Sequence, residues 1–440
     1  MPPAVLRVLR ELGTAGRRSW VVGGAVRDLL LGRERHDPNE FDVATPATPE
    51  EVTRLFRRVL PTGIEHGTVT VLEGGARVEV TTFRGEGAYV DGRRPSSVTF
   101  HTDLEADLAR RDFTVNAIAW DPLAAELRDP CGGLADLRRR VIRAVGDARE
   151  RFAEDGLRPL RALRFASELG FHLEPRTRGA IRPALAVVRQ VSKERVAEEL
   201  SRLLTGAHAA SALPLLERTG LLGEVLSPLA GLSRARVRHA VAVAAAVRAR
   251  PGGGRRGEEE RERCRLLRLA GLLHVVPGRS AMQAVVELRL PNRLAVGVAE
   301  MLGAGPCLSE GGAPFPESPA EVRRWLSGIG AGRAEDVLGL WEADARHQGA
   351  ASRRAAAKVR GLRRRVSAAL RARPPLAIPD LALDGRAVMR LLGISGGPAV
   401  GEALRHLLEL VLEDPAQNEA SRLEAALRDW RPAHGGGAPA

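Results

Sequence analysis

Aromatic residues, lysine and cysteine are all scarce in this chain of 440 residues. Aromatic residues make up 3% of the sequence, and Lys193 and Lys358 are the only lysines among 67 basic residues. The three cysteines form no metal-binding or disulfide pattern: Cys131, Cys264 and Cys307. The sequence also has no long apolar run and no signal peptide, so we expect a soluble, cytoplasmic protein.

Positive charge is abundant. The formal net charge is +13 and the isoelectric point is about 11.0, while hydrophobic residues make up 44% of the chain. This composition supports real cores and predicts a polyanionic partner, with nucleic acid as the first candidate. Solubility and codon bias are the alternative explanation, because nearly all the basic residues are arginine.

The most informative stretch runs from Trp20 to Thr45. A buried strand is predicted to end at Gly23-Gly24, and a helix follows from about Ala25 to Leu31. Glycines allow the backbone to approach a ligand closely, and a helix N-terminus offers N–H groups to an anion. Arg27 lies in the first turn of this helix. The first half of the stretch therefore predicts a phosphate-binding corner.

The second half of the stretch predicts a strand with an acidic face. Glu40 and Asp42 are two residues apart, so both carboxylates are expected on one face, opposite Phe41. A later β-rich run contains Glu79, which would complete an acidic triad from a neighbouring strand or else be an ordinary exposed strand residue. Paired carboxylates beside a phosphate-binding corner are typical of metal-assisted nucleotidyl transfer.

The sequence from Gly23 to Asp42 resembles the first motif of the class II tRNA nucleotidyltransferases (CCA-adding enzymes) and the bacterial poly(A) polymerases. That motif is GG-x-VRD followed by a strand carrying Asp-x-Asp, and its first carboxylate is Glu40 here. The resemblance implies that Glu40 and Asp42 bind two Mg²⁺ ions, that Glu79 is catalytic, and that Gly24 and Arg27 hold the triphosphate. Asp37 is a less favoured replacement ligand, because it lies off the face shared by Glu40 and Asp42.

Two further segments of the first third match this family. Gly85 to Ser97 is glycine-rich, and its DGRRP portion resembles the flexible loop of enzymes that add the terminal A; an ordinary hairpin loop is the alternative. LARRDFTVNA matches the family's RRDFTxNA motif. There the resemblance implies that Arg111 contacts the triphosphate or the sugar, and that Asp112 and Asn116 orient the ribose. Cys131, in the next motif, is interpreted as a small packing residue.

RFAEDGLRPLRALRFA carries a possible base-recognition pair. Asp155 and Arg158 are three residues apart, which on one helix places them on adjacent parts of one face. A carboxylate beside a guanidinium matches the amino group and ring nitrogen of cytosine and adenine, and disfavours uracil and guanine. A surface salt bridge is the alternative. Pro159 would then kink this helix.

The same segment resembles the family's EDxxR motif, in which the Asp and Arg act as a protein template. The resemblance also implies that Arg161 and Arg164 lie near the nucleotide. Arg164 is the weaker candidate, because three-residue steps drift around the helix. From Val191 another motif follows, with Ser192 as the expected N-cap and Arg195 on a basic helix that would brace the template.

Helical periodicity dominates from about Val145 to the end of the chain. We therefore expect an α+β protein with an N-terminal nucleotidyltransferase head containing a small mixed β-sheet, followed by an all-α neck, body and tail. The expected boundaries are 1–144, 145–205, 206–330 and 331–440. His274 has Val275 rather than Asp beside it and no other clustered ligands, so we interpret it as a core or surface histidine.

The predicted function is template-independent addition of CCA to the 3′ end of tRNA from CTP and ATP, with Mg²⁺ as cofactor and release of pyrophosphate. The basic helical part is expected to grip the tRNA acceptor arm and TψC region by shape and backbone. A poly(A) polymerase or an A-adding enzyme is the nearest alternative, because the base-recognition pair accepts both C and A. A catalytically silent tRNA-binding protein is a further alternative, suggested by Glu40.

Overall fold

The computed structural model describes residues 1–33, 40–86, 98–100, 103–247, 257–304, 315–428 and 430. The chain forms two compact units, Met1–Leu232 with Glu287–Leu290, and Ser233–Val286 with Pro291–Ala440. The four-part division expected from the sequence is finer than this split and stays a prediction.

The first unit contains every strand of the described residues. These strands are β1 Trp20–Val22, β2 Glu40–Thr45, β3 Val59–Gly63, β4 Thr68–Glu73, β5 Ala76–Thr82, β6 Arg84–Glu86, β7 Val98–Phe100, β8 Ala119–Asp121, β9 Glu126–Arg128, β10 Val141–Ile142 and β11 His172–Leu173. Its α-helices are α1 Pro3–Thr14, α2 Gly24–Leu30, α3 Pro49–Leu55, α4 Leu104–Ala109, α5 Gly133–Arg139, α6 Ala148–Glu154, α7 Arg158–Leu169, α8 Pro175–Ile181, α9 Leu185–Val188, α10 Lys193–Thr205, α11 Ala209–Arg218 and α12 Leu221–Val225.

Seven strands form one sheet in the order β3-β4-β5-β2-β1-β8-β9. β2 is parallel to β5 and antiparallel to β1, so the sheet is mixed, as expected. Alternate residues of β5 are buried, which puts Val78 and Val80 in the core and Glu79 on the other face. This central pairing of β1, β2 and β5 positions the acidic residues of the candidate site.

Helix α3 begins where the local sequence predicts but ends earlier, because the following residues join the sheet. The residues Thr48-Pro49-Glu50-Glu51 predict a helix that is capped by Thr48 and runs to about Val59. Thr48 does cap this helix, in a capping box with Glu51, but the helix ends at Leu55. Val59 instead begins β3, opposite Val71 of β4. The backbone N–H and C=O groups that would pair within a longer helix form hydrogen bonds with the neighbouring strand instead.

The expected single helix through Asp155 and Arg158 is wrong. Helix α6 ends at Glu154, Asp155 is extended (φ −136°, ψ 111°), and α7 begins at Arg158. Gly156 fills the break, because a Cβ there would lie 2.5 Å from the carbonyl oxygen of Val187. Pro159 therefore occupies the first turn of a new helix, where its missing N–H costs nothing, and it causes no kink.

The second unit is helical throughout its described residues. Its α-helices are α13 Arg234–Ala246, α14 Glu258–Leu273, α15 Gly278–Glu287, α16 Asn292–Gly303, α17 Pro319–Ile329, α18 Ala334–Arg346, α19 Ser352–Arg371, α20 Gly385–Leu392, α21 Pro398–Glu413 and α22 Ala420–Arg428. One apolar cluster surrounds Trp341, and a separate one joins Val388, Leu407 and Leu427. Among the helices that the structure describes, none is long and apolar enough to cross a membrane.

Candidate active site

Asp42 and Glu79 meet on neighbouring strands. Their Cα atoms are directly opposite each other in the parallel pairing of β2 and β5, which places both side chains on one face of the sheet. Both side chains are partly exposed. Glu40 begins β2 opposite Arg77, while its side chain and the alternative ligand Asp37 lie outside the described residues. The structure thus brings together two members of the expected acidic triad.

Gly23 forms the tightest corner of this site. It has φ +74°, and a Cβ there would lie 3.1 Å from Oδ2 of Asp42 and 3.2 Å from Nη1 of Arg111. A side chain at this position would therefore strain the backbone and push the carboxylate and the guanidinium away by a few tenths of an ångström. Arg111 is fixed from behind by the buried carboxylate of Asp107, 3.3 Å from its Nη2. Burial would raise the pKa of Asp107, but Arg111 and Arg110 lower it below its usual value.

Arg27 is buried and forms hydrogen bonds with two neighbouring side chains. It is 7% exposed, its Nη1 donates to Oδ1 of Asn116 at 2.8 Å, and its remaining contacts include the carboxylate of Asp28. The side chain of Asn116 in turn donates to Oδ1 of Asp112 at 3.1 Å. Hydrogen bonds thus link three predicted site residues in series, Arg27 to Asn116 to Asp112, and Arg27 positions Asn116.

Asp112 extends this series of hydrogen bonds to helix α7. Its Oδ2 accepts from Nε and Nη2 of Arg161 at 2.9 and 2.7 Å. Burial would raise the pKa of Asp112, but the charge of Arg161 and the hydrogen bonds from Asn116 and Arg161 lower it to about 2. Arg161 also contacts Glu199, which forms a 2.5 Å ion pair with Arg164. Arg164 is 2% exposed, so in this structure it lies inside the ion-pair network.

The predicted base-recognition residues lie at the junction of α6 and α7. Asp155 accepts from the backbone N–H of Leu157 and from Nη2 of Arg195, both at 2.9 Å. Arg158 is buried, and its Nη1 donates to the carboxylate of Glu154 and to the carbonyl oxygen of Arg151. The two residues are therefore held by a turn and by neighbouring helices, and not by one helix face. The contact of Arg195 with Asp155 joins α10 to this junction, and the bracing role expected of α10 stays a prediction.

Sequence reasoning missed several supporting residues. Asp107 anchors Arg111, Glu199 joins Arg161 to Arg164, and Glu154 contacts Arg158. The spacing of Glu154 and Arg158, four residues apart, was a usable local signal. Arg161 lies 38 residues from Glu199, and no local pattern indicates that the two residues meet.

Three other expectations concern single residues and can be compared directly with the structure. Cys131 packs beside the core, and burial raises the pKa of its thiol, which agrees with a packing role. The expectation that His274 lacks clustered ligands is wrong, because His239 and Asp344 lie beside it. Ser192 precedes α10 without a side-chain capping bond. The DGRRP loop, 91–95, lies outside the described residues.

Comparison with known proteins places this site in a family. The model of the poly(A) polymerase head domain matches residues 19–143, and that of a probable RNA- and SrmB-binding site of polymerase A matches residues 170–231. These segments contain β1, β2 and β5 with the acidic residues, and helix α10 with Arg195. The matched head confirms the resemblance read from the GG-x-VRD motif.

Relatives cover nearly the whole chain. The CCA-adding enzyme of Geobacillus stearothermophilus is 38% identical over 96% of each chain, and that of Geobacillus kaustophilus is 39% identical over 98% of this chain and 97% of its own. The crystal structure of the Bacillus stearothermophilus CCA-adding enzyme in complex with CTP matches with a TM-score of 0.71 and 36% identity, over 98% of both chains. The expected α+β fold is confirmed. Members of this family generally use a divalent metal ion. The chain belongs to the CCA-adding enzyme family of tRNA nucleotidyltransferases.

Proposed function

We propose that this chain adds C, C and A in turn to the 3′ end of tRNA, from CTP and ATP, with release of pyrophosphate. The observation that carries the proposal is the corner where Asp42 faces Glu79 across two strands and Gly23 brings Arg111 beside Asp42. Full-length similarity to CCA-adding enzymes supports the same reaction.

The carboxylates of this corner fit Mg²⁺. Carboxylate oxygens are the ligands that Mg²⁺ prefers, and the lack of a side chain at Gly23 leaves space beside Oδ2 of Asp42. Glu40 and Asp42 would hold two such ions, with Glu79 beside them. When bound, Mg²⁺ lowers the pKa of the primer 3′-OH and neutralises charge on the triphosphate and the departing pyrophosphate.

The neighbouring basic and polar residues would orient the nucleotide. Nε of Arg111 is buried without a hydrogen-bond partner among the described residues, as expected of a group that awaits an anion. Arg111 and the backbone at Gly24 would contact the triphosphate, and Arg27 would hold their surroundings rigid. Asp112 and Asn116, already joined by a hydrogen bond, would contact the ribose.

Base choice would depend on Asp155 and Arg158. Arg195 orients the Asp155 carboxylate, and each carboxylate oxygen retains capacity to accept the exocyclic amino group of cytosine or adenine. Arg158 would donate to the ring nitrogen. Arg161 and Arg164 would act through their ion pairs with Glu199, which hold α7 against α10.

The tRNA grip would use helix α19. Four of the exposed arginines on this helix follow spacings of seven, four and seven residues, which puts them on one stripe: Arg353, Arg360, Arg364 and Arg371. Changing Arg360 and Arg364 to glutamine should reduce the log–log salt slope of tRNA binding by roughly 2. Arg363, which contacts Glu342, is the matched control. An unchanged slope in the double variant would remove α19 from the interface.

The decisive test supplies tRNA ending before CCA, or after CC, with each nucleoside triphosphate alone and with all four together. We expect CTP alone to add two residues, ATP alone to complete only the tRNA ending in CC, and the mixture to stop after CCA. Repeated addition from ATP alone would indicate a poly(A) polymerase. Single A addition without C addition would indicate an A-adding enzyme, and no addition at any Mg²⁺ concentration would indicate a silent tRNA-binding protein.

A further inference from the structure

Three potential metal ligands meet in the second unit, in helices that the reaction above does not use. His239 lies in α13, His274 follows the last residue of α14, and Asp344 lies in α18. The His274 and Asp344 side chains are buried, whereas that of His239 is 23% exposed. The cluster is therefore mostly enclosed and reaches solvent through His239.

The spacing of the ligand atoms suits a single ion. Nε2 of His239 lies 2.7 Å and Nε2 of His274 lies 3.6 Å from Oδ1 of Asp344, and the three residues' ligand atoms all lie within 4.8 Å of one another. Tetrahedral zinc binds nitrogen and oxygen at about 2.0–2.2 Å, so ligand atoms on one ion lie about 3.3 Å apart. The two distances to Asp344, 2.7 and 3.6 Å, lie on either side of that value.

The other ring nitrogens are committed to the backbone. Nδ1 of His274 lies 2.7 Å from the carbonyl oxygen of Gly271, which can only accept, so Nδ1 carries the hydrogen. His239 makes a hydrogen bond to the backbone of His347. Histidines that bind metals usually donate their second N–H in this way, because the bond fixes the ring and its tautomer.

Asp344 is held ready as a carboxylate. Nε2 of Gln348 donates to its Oδ1 at 3.1 Å. The same oxygen faces Nε2 of His239 and Nε2 of His274. The cluster therefore presents one negative charge and two imidazoles in a protected position.

We propose that His239, His274 and Asp344 bind one divalent transition-metal ion of the zinc class and so cross-link α13, α14 and α18. Two imidazoles with one carboxylate suit Zn²⁺ or Co²⁺, whereas Mg²⁺ prefers oxygen ligands. The site is thus chemically distinct from the carboxylates of the head. Its three protein ligands leave a fourth position, on the exposed side of His239, for water or a small anion.

The test uses the untagged full-length protein, stripped with a chelator and dialysed. Co²⁺ is titrated in the presence of excess Mg²⁺, with visible d–d absorption as the signal, and Zn²⁺ is then added as a competitor. We expect one equivalent of Co²⁺ per chain, displaced by Zn²⁺ and unaffected by Mg²⁺. His239→Gln and His274→Gln should each weaken binding at least about tenfold, the loss that follows removal of even an outer hydrogen-bond partner of a ligand.

His347→Gln is the matched control, because its side chain contacts the carbonyl oxygen of Ala343 while its backbone still serves His239. This variant should bind Co²⁺ as the wild type does. Asp344→Asn keeps the side-chain shape and should weaken binding like the histidine variants. Circular dichroism checks that each variant is folded. If a change at buried His274 or Asp344 disrupts folding, the variant at partly exposed His239 still tests the proposal. A wild type that binds no Co²⁺, or that binds it as well after all three ligand changes, overturns the proposal and leaves a purely hydrogen-bonded cluster.

Discussion

Replacing Gly23 with alanine perturbs the tightest corner of the active site. Gly23 has φ +74° and ψ −143°, a conformation that residues with a side chain rarely adopt. The new Cβ would press on Oδ2 of Asp42 at 3.1 Å and on Nη1 of Arg111 at 3.2 Å. The substitution therefore strains the backbone and displaces two proposed reaction groups at once.

The magnitude follows from these distances. The backbone strain amounts to about 1–3 kcal/mol. Ordinary van der Waals contact begins at 3.4 Å, so Asp42 must move by about 0.3 Å and Arg111 by about 0.2 Å. Mg²⁺ demands near-ideal octahedral geometry, and a 1 Å misplacement of a reacting group costs roughly a hundredfold in rate. On that scale a shift of about 0.3 Å costs roughly fourfold, and distortion of the Mg²⁺ coordination adds to it. We therefore expect kcat to fall by about fourfold to a hundredfold, with little change in KM for tRNA.

Gly16→Ala is the matched control for this experiment. Gly16 has φ +75°, almost the same as Gly23, but a Cβ there would meet nothing within 4 Å. It should share the loss of stability, measured as the urea midpoint, and keep the wild-type kcat. Single-turnover incorporation of CTP into tRNA lacking CCA measures the rate of each variant.

Two outcomes would refute this reasoning. If Gly23→Ala keeps kcat within about threefold of the wild type, then the corner between Asp42 and Arg111 is not the reaction centre. If Gly16→Ala loses as much kcat as Gly23→Ala, then backbone strain alone explains the effect and the contact with Asp42 does not matter.

Three further changes test the remaining residues. Asp112→Asn removes a carboxylate whose pKa is lowered to about 2, because Arg161 outweighs the effect of burial. A carboxylate with a depressed pKa stabilises the folded state at pH values above its unfolded pKa near 4, and this stabilisation is lost as the pH falls through about 2. The free energy of unfolding of the wild type, measured with urea, should therefore exceed that of the variant by about 2 kcal/mol at pH 7, and the difference should close toward pH 2. Asp155→Ala should relax or abolish selection of CTP and ATP while tRNA affinity is kept, and Arg195→Met, which removes the charge beside that carboxylate, should weaken the same selection; nucleotide competition assays would count against the template role if both variants stayed selective. Glu40→Ala should nearly abolish nucleotide addition whereas Glu40→Asp should retain or improve it, and full activity of Glu40→Ala would move the metal pair elsewhere.

Much of the head was predictable because its signals are local. The order of strand, glycine turn, helix and acidic strand follows from hydrophobic period and glycine placement, and the structure has it as β1, Gly23, α2 and β2. The alternation around Glu79 and the cap at Thr48 are equally local. Such features depend on backbone geometry over a few residues, which the sequence specifies directly.

The break at Asp155 was missed although the sequence contained a signal for it. Asp155-Gly156 is a turn dipeptide, and Pro159 is typical of the first turn of a new helix. The three-residue spacing of Asp155 and Arg158 suggested one continuous helix instead. The contact of Gly156 with the backbone of Val187, which excludes a side chain at that position, is a tertiary constraint that no local pattern reveals.

The sequence by itself determined the family, the catalytic motifs and the helical character of everything after the head. Only the tertiary structure decided which charges meet. With 67 basic and 54 acidic residues, the sequence permits a vast number of ion pairs, and nothing local selects Arg161 for Asp112 or Arg195 for Asp155. Helix packing makes that choice, as it does for His239 and Asp344, which are 105 residues apart. Side chains distant in sequence become partners only when a buried core fixes the elements that carry them.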